Sequence, residues 1–172
     1  MSMRTLICVC SSLLIVLLTG CAGYHLGPVN GAEAGSRSLE VFPFNNQTLQ
    51  PRLGDALTQA LRQRVQTDGT FHLATREPGD LIVTGVVRSY QREGLGYLST
   101  DTATPEDYRV GIVVHVVVRE RASNKLVLEK DVKAHTLVHI GGDLASAERQ
   151  ALPLLGADLA QTLMELLAEG TW

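Results

Sequence analysis

Side chains able to do chemistry are sparse in this 172-residue chain. The cysteines Cys8, Cys10 and Cys21 all fall in the first 21 residues. A cysteine nucleophile inside a folded domain is therefore excluded. His135 and His139 have the spacing of a helical metal pair, but they lie in a strand-like stretch. Four residues apart on a strand they stand roughly 13 Å from each other and cannot share an ion. His115 can approach Asp131 across a hairpin, as surface pairs commonly do. Gly94-Leu95-Gly96 is followed by no helix start, so it is no phosphate cradle. No Gly-x-Ser-x-Gly elbow and no Walker loop occurs. These residues predict no enzyme, no cofactor and no metal. The basic set Arg88, Arg92, Arg109, Arg119 and Lys133 is more suggestive. Forked guanidinium groups on a rigid sheet face can clamp phosphates or sugar carboxylates. The acids Glu129 and Asp131 share that face, so a merely solvated, mutually neutralised surface is the plain alternative.

Cys21 closes a different pattern. Arg4 precedes an apolar run from Leu6 to Leu18, and Leu18-Thr19-Gly20-Cys21 ends it. This is the basic, apolar, then small-residue layout of a secretory signal. The run is too short for a transmembrane helix, which needs about 20 residues. The ending resembles a lipobox, which implies cleavage before Cys21 and acyl chains on its thiol and new amino group. Residues 1–20 are then a cleaved signal, and the chain is held to a membrane by lipid. Ala22 stands where an aspartate would retain a lipoprotein in the inner membrane, so the expected address is the outer membrane.

The formal charge of −3 becomes −4 when Arg4 is lost with the signal, and nothing in it suggests nucleic acid. Without free thiols or disulfides the fold rests on packing alone. Residues 21–37 are rich in Gly and lack periodicity, so they read as a tether reaching on the order of 50 Å. Residues 38–172 read as one domain.

The elements that must position the basic set follow from periodicity. Leu39 to Phe44 reads as a strand ended or placed at an edge by Pro43. Asn46-Gln47-Thr48, formally a glycosylation sequon, reads as turn and helix-cap chemistry. Leu53, Leu57, Leu61 and Val65 recur every four residues, predicting a helix from near Pro51 to Asp68-Gly69. Phe71 to Ala74 is a short strand. A long strand runs from Leu81 to about Arg92, with Thr84, Arg88, Tyr90 and Arg92 on its outer face. Residues 93–107 read as an irregular loop, of a length usually functional or mobile. Tyr108 to Arg121 puts Ile112, Val114, Val116 and Val118 on the core face. A turn at Ala122-Ser123-Asn124, with Asn124 left-handed, sets Val118 against Leu128 and Val114 against Val132. The return strand runs to about Ile140. A last helix to Glu169 carries the stripe Leu152, Leu155, Leu159, Leu163 and Leu166, with Pro153 starting or kinking it. The expected fold is an α+β two-layer sandwich, with two helices on one face of a small, mostly antiparallel, mixed sheet. The outer face carries Val113, Val117 and Val127 among charges, so it is a candidate contact surface, as are Leu95 and Tyr97 in the 93–107 segment.

In order along the chain, several short stretches resemble one family. They are Gly20-Cys21-Ala22-Gly23-Tyr24-His25-Leu26, then Val41-Phe42-Pro43-Phe44 with Asn46 and Thr48. Leu53, Leu57-Thr58-x-Ala60-Leu61 and Tyr108-Arg109-Val110 follow. Together they look like the lipopolysaccharide-assembly outer-membrane lipoproteins, the LptE family. Ala22 departs from the glycine that usually follows the cysteine there. The resemblance implies the two-layer α+β fold, a place as plug inside a large β-barrel translocon of the LptD type, and binding of lipopolysaccharide. Arg88, Arg92, Arg109 and Lys133 are then the candidate lipopolysaccharide contacts. A second expectation from the same residues is a lipoprotein adaptor that activates a cell-wall synthase or scaffolds another envelope complex.

Overall fold

A computed structural model describes residues 35–98, 101–139 and 143–170, with the backbone alone described at 96–98, 101–106 and 144. The signal, Cys21 and the tether up to residue 34 lie outside the described residues. The elements are β1 (Ser38–Val41), β2 (Asn45–Asn46), α1 (Leu53–Asp68), β3 (His72–Leu73), β4 (Leu81–Leu98), β5 (Asp101–Glu120), β6 (Leu126–His139) and α2 (Leu144–Glu169). They form one open mixed sheet in the order β3-β1-β4-β5-β6, with β2 also beside β4. β1 runs parallel to β3 and β4, while β4, β5 and β6 are antiparallel. The two helices complete an α+β arrangement.

Local chemistry explains the first third of the chain. Pro43 has no N–H to give a ladder, so β1 stops before it and pairing resumes as β2. Between them the Phe44 ring lies against Gly85, where an added Cβ would come within 2.9 Å of it. The Asn46 side chain organises a turn: its Oδ1 accepts from the Thr48 backbone at 3.0 Å and hydroxyl at 2.7 Å, and its Nδ2 donates to Gln50 O at 2.7 Å. It does not cap α1, whose start at Arg52 (φ 60°) has no side-chain cap. Gly69, at φ 77°, ends the helix in the left-handed region that glycine adopts without strain.

The four-residue stripe of α1 is fully buried, as are Leu155, Leu159 and Leu163 of α2. Each such leucine contributes roughly 1.5–3 kcal/mol by leaving water. Leu152 and Leu166, at the margins of the stripe, are half-buried, and Leu167 completes the core instead. The helices touch at Gly156, where a Cβ would sit 2.6 Å from that of Ala60. Asp143 caps α2 by accepting from Ala145 N at 3.1 Å and Ser146 N at 3.0 Å. The helix therefore begins well before Pro153, which lies exposed inside it.

The β5–β6 register holds Val114 against Val132 and Val118 against Leu128, and Asn124 is left-handed at φ 54°. Both match the sequence reading. Two strand expectations are corrected. Residues 93–107 are not an irregular loop: β4 continues to Leu98 and β5 begins at Asp101, in a ladder with register shifts around Gly96. The Gly and Pro residues that signalled a loop are absorbed by those irregularities and by a free edge. Among the described residues β6 ends opposite Asp107, so Pro105 borders no third strand there and its missing N–H costs little.

The second correction concerns β4. Val87 faces Val114 but Ser89 faces Val113, which leaves Arg88 as a bulge. One inserted residue exchanges the faces of everything beyond it. Tyr90 and Arg92 therefore pair with buried Ile112 and Val110, on the helix side. Strict alternation had placed them on the outer face with Arg88.

Candidate functional site

Among the described residues the outer sheet face carries no helix. β4 gives it Ile82, Thr84, Val86 and Arg88. β5 adds Arg109, Val113, His115, Val117 and Arg119, and β6 adds Glu129, Asp131, Lys133 and His135. Val113, Val117 and Val86 are half-buried among these polar groups. Val127, at the β5–β6 irregularity, packs partly against the core.

The basic residues do not converge. Arg88 Nη1 donates to both Asp131 oxygens, at 3.1 and 3.2 Å. His115 Nδ1 lies 2.7 Å from the same carboxylate, and its Nε2 lies 3.4 Å from Glu129. The His115 hydrogen bond, with the Arg88 guanidinium beside it, holds the Asp131 carboxyl below the usual aspartate range. Arg109 is 3.5 Å from Glu93, directly across the β4–β5 ladder. Arg92, turned inward by the bulge, donates to Glu148 of α2 at 2.6 Å. Among the described residues Lys133 has no ion pair and no side-chain hydrogen bond, so its ammonium is the uncommitted cation of the candidate set. It stands beside Val113 on the outer face.

Periodicity could not reveal these pairings. It gave the outer-facing acids, but not the bulge that sends Arg92 to Glu148. Tyr90 follows Arg92 inward. Its hydroxyl is buried with no hydrogen-bond partner among the described residues, and burial together with the Glu148 charge pushes its pKa up. His135 and His139 take separate carboxylates, Asp158 at 3.8 Å and Asp107 at 2.8 Å. Among the described residues no group of three metal-ligating side chains comes together.

The remaining candidates lie on the β4–β5 arm. Leu95, at a ladder irregularity, is 41 % exposed, and Tyr97 pairs through its backbone with Pro105. Beyond Asp107 the arm has left β6 behind and runs on as two strands for about 20 Å. It does so at the end of the sheet where β4 finishes. The chain enters at the opposite end, where Gly35 N donates to Thr70 O at 3.0 Å and Leu39 pairs with Leu81 at the start of β4.

Comparison with known proteins places this architecture. Among solved structures, the fold matches the hypothetical protein CT253 from Chlamydia trachomatis with a TM-score of 0.57 at 8 % identity, covering 78 % of this chain and 97 % of that one. Protein XCC0632 from Xanthomonas campestris matches with a TM-score of 0.57 at 13 % identity, over 84 % and 91 %. A minor lipoprotein from Acinetobacter baumannii matches at 0.50 and 14 % identity, over 77 % and 92 %. At these identities the likeness shows the fold alone. No curated protein matches the chain. The lipopolysaccharide-assembly family model, LptE, matches residues 36–169, from just before β1 to the last residue of α2. The chain belongs to the LptE family of lipopolysaccharide-assembly proteins, which are assembly factors and not enzymes.

Proposed function

We propose that this protein is an outer-membrane lipoprotein, anchored through Cys21, that serves lipopolysaccharide export as plug and partner of an LptD-like β-barrel. The family match over the whole folded domain carries the reading. Two features of the fold support it. The uncovered sheet face mixes valines with charges, as a surface does that meets a partner across a partly wet interface. The β4–β5 arm projects at the end opposite the point where the tether joins the domain. That polarity keeps the arm clear of the point where the tether joins, so both can be engaged at once.

Lipopolysaccharide contact centres on Lys133 in this reading. Arg88, Arg92 and Arg109 already hold carboxylates, so a phosphate has to displace Asp131, Glu148 or Glu93 to use them. Lys133 is free to bind at once, and Arg88 is nearby on the same face.

Photo-crosslinkers at Leu95, Tyr97 and Val117, followed by purification from outer membranes, test the partnership. A single large β-barrel in the adducts is the expected product. Capture of a cell-wall synthase would favour the adaptor reading instead. Mass spectrometry of the N-terminal peptide tests the anchor: an unmodified Cys21, or a chain uncut after Gly20, would overturn it.

A further inference from the structure

Helix α2 is fastened unevenly on the two sides of Pro153. Beyond the proline, Leu155, Leu159, Leu163 and Leu167 are fully buried. There too Gly156 meets Ala60 of α1 at the helix crossing, and Asp158 accepts the His135 N–H at 2.9 Å. Before the proline, in residues 144–152, the buried side chains among those described are Ala147 and Ala151, with Leu152 half-buried. An alanine takes one methyl out of water where a leucine takes a whole branched side chain, so this part gains much less by packing. Among the described residues its one ion pair with the sheet is Glu148 with Arg92, at 2.6 Å, and the arginine there is half-exposed. Pro153 divides the two parts. It has no N–H for the Arg149 carbonyl and its ring crowds that carbonyl, so the helix bends there at least cost.

The sheet below the first part is apolar. By register Tyr90 and Arg92 of β4 share the helix-side face with Val110, Ile112, Ala134 and Val138, all four buried, at the end where the β4–β5 arm departs. The Tyr90 hydroxyl is buried near Glu148 and meets no hydrogen-bond partner among the described residues. A buried hydroxyl without a partner costs free energy as long as it stays covered.

We propose that residues 144–152 form a latch, hinged at Pro153 and closed by the Arg92–Glu148 pair, that swings off the sheet while the rest of the domain stays folded. Opening uncovers the apolar strip from Tyr90 to Val138 at the base of the arm and lets the Tyr90 hydroxyl reach water. The Asp143 cap travels with the latch, because its contacts are to Ala145 and Ser146 within the same turn. The segment therefore moves as a short helix and does not fray. The latch sets how much apolar surface the arm end presents.

The test is thiol labelling of the folded full chain in detergent, with the labelled position located by peptide mass spectrometry and folding checked by circular dichroism. Val110→Cys reports the covered strip. Val65→Cys, fully buried on α1, reports global unfolding. Ala134→Cys is a second reporter of the strip should Val110→Cys not fold. The strip thiol should react well ahead of the α1 thiol. Adding Glu148→Gln should speed the strip thiol by roughly threefold and leave the α1 thiol unchanged. Adding Pro153→Ala should slow the strip thiol alone, since it restores the missing backbone bond at the hinge. Tyr90→Phe should slow it by roughly tenfold, because the closed latch then hides no unpartnered hydroxyl. Equal labelling rates at the strip and on α1 would overturn the proposal. So would a Glu148→Gln effect of the same size at both positions, or a strip rate that Pro153→Ala leaves unchanged.

Discussion

Thr58 illustrates how much one hydroxyl can hold. It is buried, donates to Gly54 O at 2.7 Å and accepts the Phe44 N–H at 2.9 Å. It thus fixes the segment between β1 and β2 onto α1. Thr58→Val keeps the shape but leaves the Phe44 N–H buried without a partner. It should cost about 1–3 kcal/mol in urea denaturation, with Thr58→Ser losing less. Asp80, Asp131 and Asp143 are all held below the ordinary aspartate value. Ser38 hydrogen bonds act first on Asp80, His115 on Asp131 and Ser146 on Asp143. A depressed carboxylate favours the fold above the unfolded value, about 3.9, and that contribution fades as pH falls through the lower folded value. Stability should therefore be flat in these groups near neutrality and decline below about pH 4. In acid titrations followed by circular dichroism, Asp80→Asn should show a shallower decline. An unchanged slope would show that Ser38 contributes nothing through ionised Asp80.

At the scale of elements, the two helices depend on each other at one crossing. Gly156→Val would drive a side chain into Ala60, whose Cβ lies 2.6 Å from where the new one begins. It should destabilise by roughly 1–3 kcal/mol or force the helices apart. Leu57→Ala and Leu159→Ala, fully buried on facing stripes, should each cost about 2–5 kcal/mol. Thermal unfolding of the three variants measures all of these, and a negligible loss for both leucine variants would contradict the packed core. The bulge at Arg88 is the other decision made at this scale. Deleting Arg88 would restore plain alternation with Ser89 still opposite Val113 and with Tyr90 and Arg92 still on the helix side, while removing the Arg88–Asp131 pair. Its expected signature is lower stability with retained sheet content by circular dichroism.

For the whole molecule, the separation between the chain's entry into the domain at Gly35 and the arm matters most. Shortening the arm by removing residues 96–106 takes away the ladder of 96–98 with 101–106, which lies beyond the last β5–β6 pair at Asp107 and His139. The remaining domain should melt within a few degrees of the native protein. In the plug reading it should nevertheless lose capture of the barrel. Normal capture would move the contact surface to the outer sheet face, where Val117 crosslinks report it.

Local chemistry wrote most of the fold into the sequence. The α1 stripe, the Gly69 stop, the Asn124 turn and the β5–β6 register depend on near neighbours or on a period that a short window displays. Charge type and outward direction on β6 were legible for the same reason. The extent of the arm was not. Gly94, Gly96 and Pro105 carry loop chemistry locally, and only pairing between β4 and β5 across the tip keeps them in strands. Nor was the face of Arg92. A bulge shows no period of its own, because it is one extra residue accommodated by the partner strand. Which cations are engaged was likewise settled by tertiary structure: Asp131, Glu148 and Glu93 reach their arginines across strands or from a helix far away in sequence. Periodicity determines which residues can face the same way, while long-range pairing alone determines which of them meet.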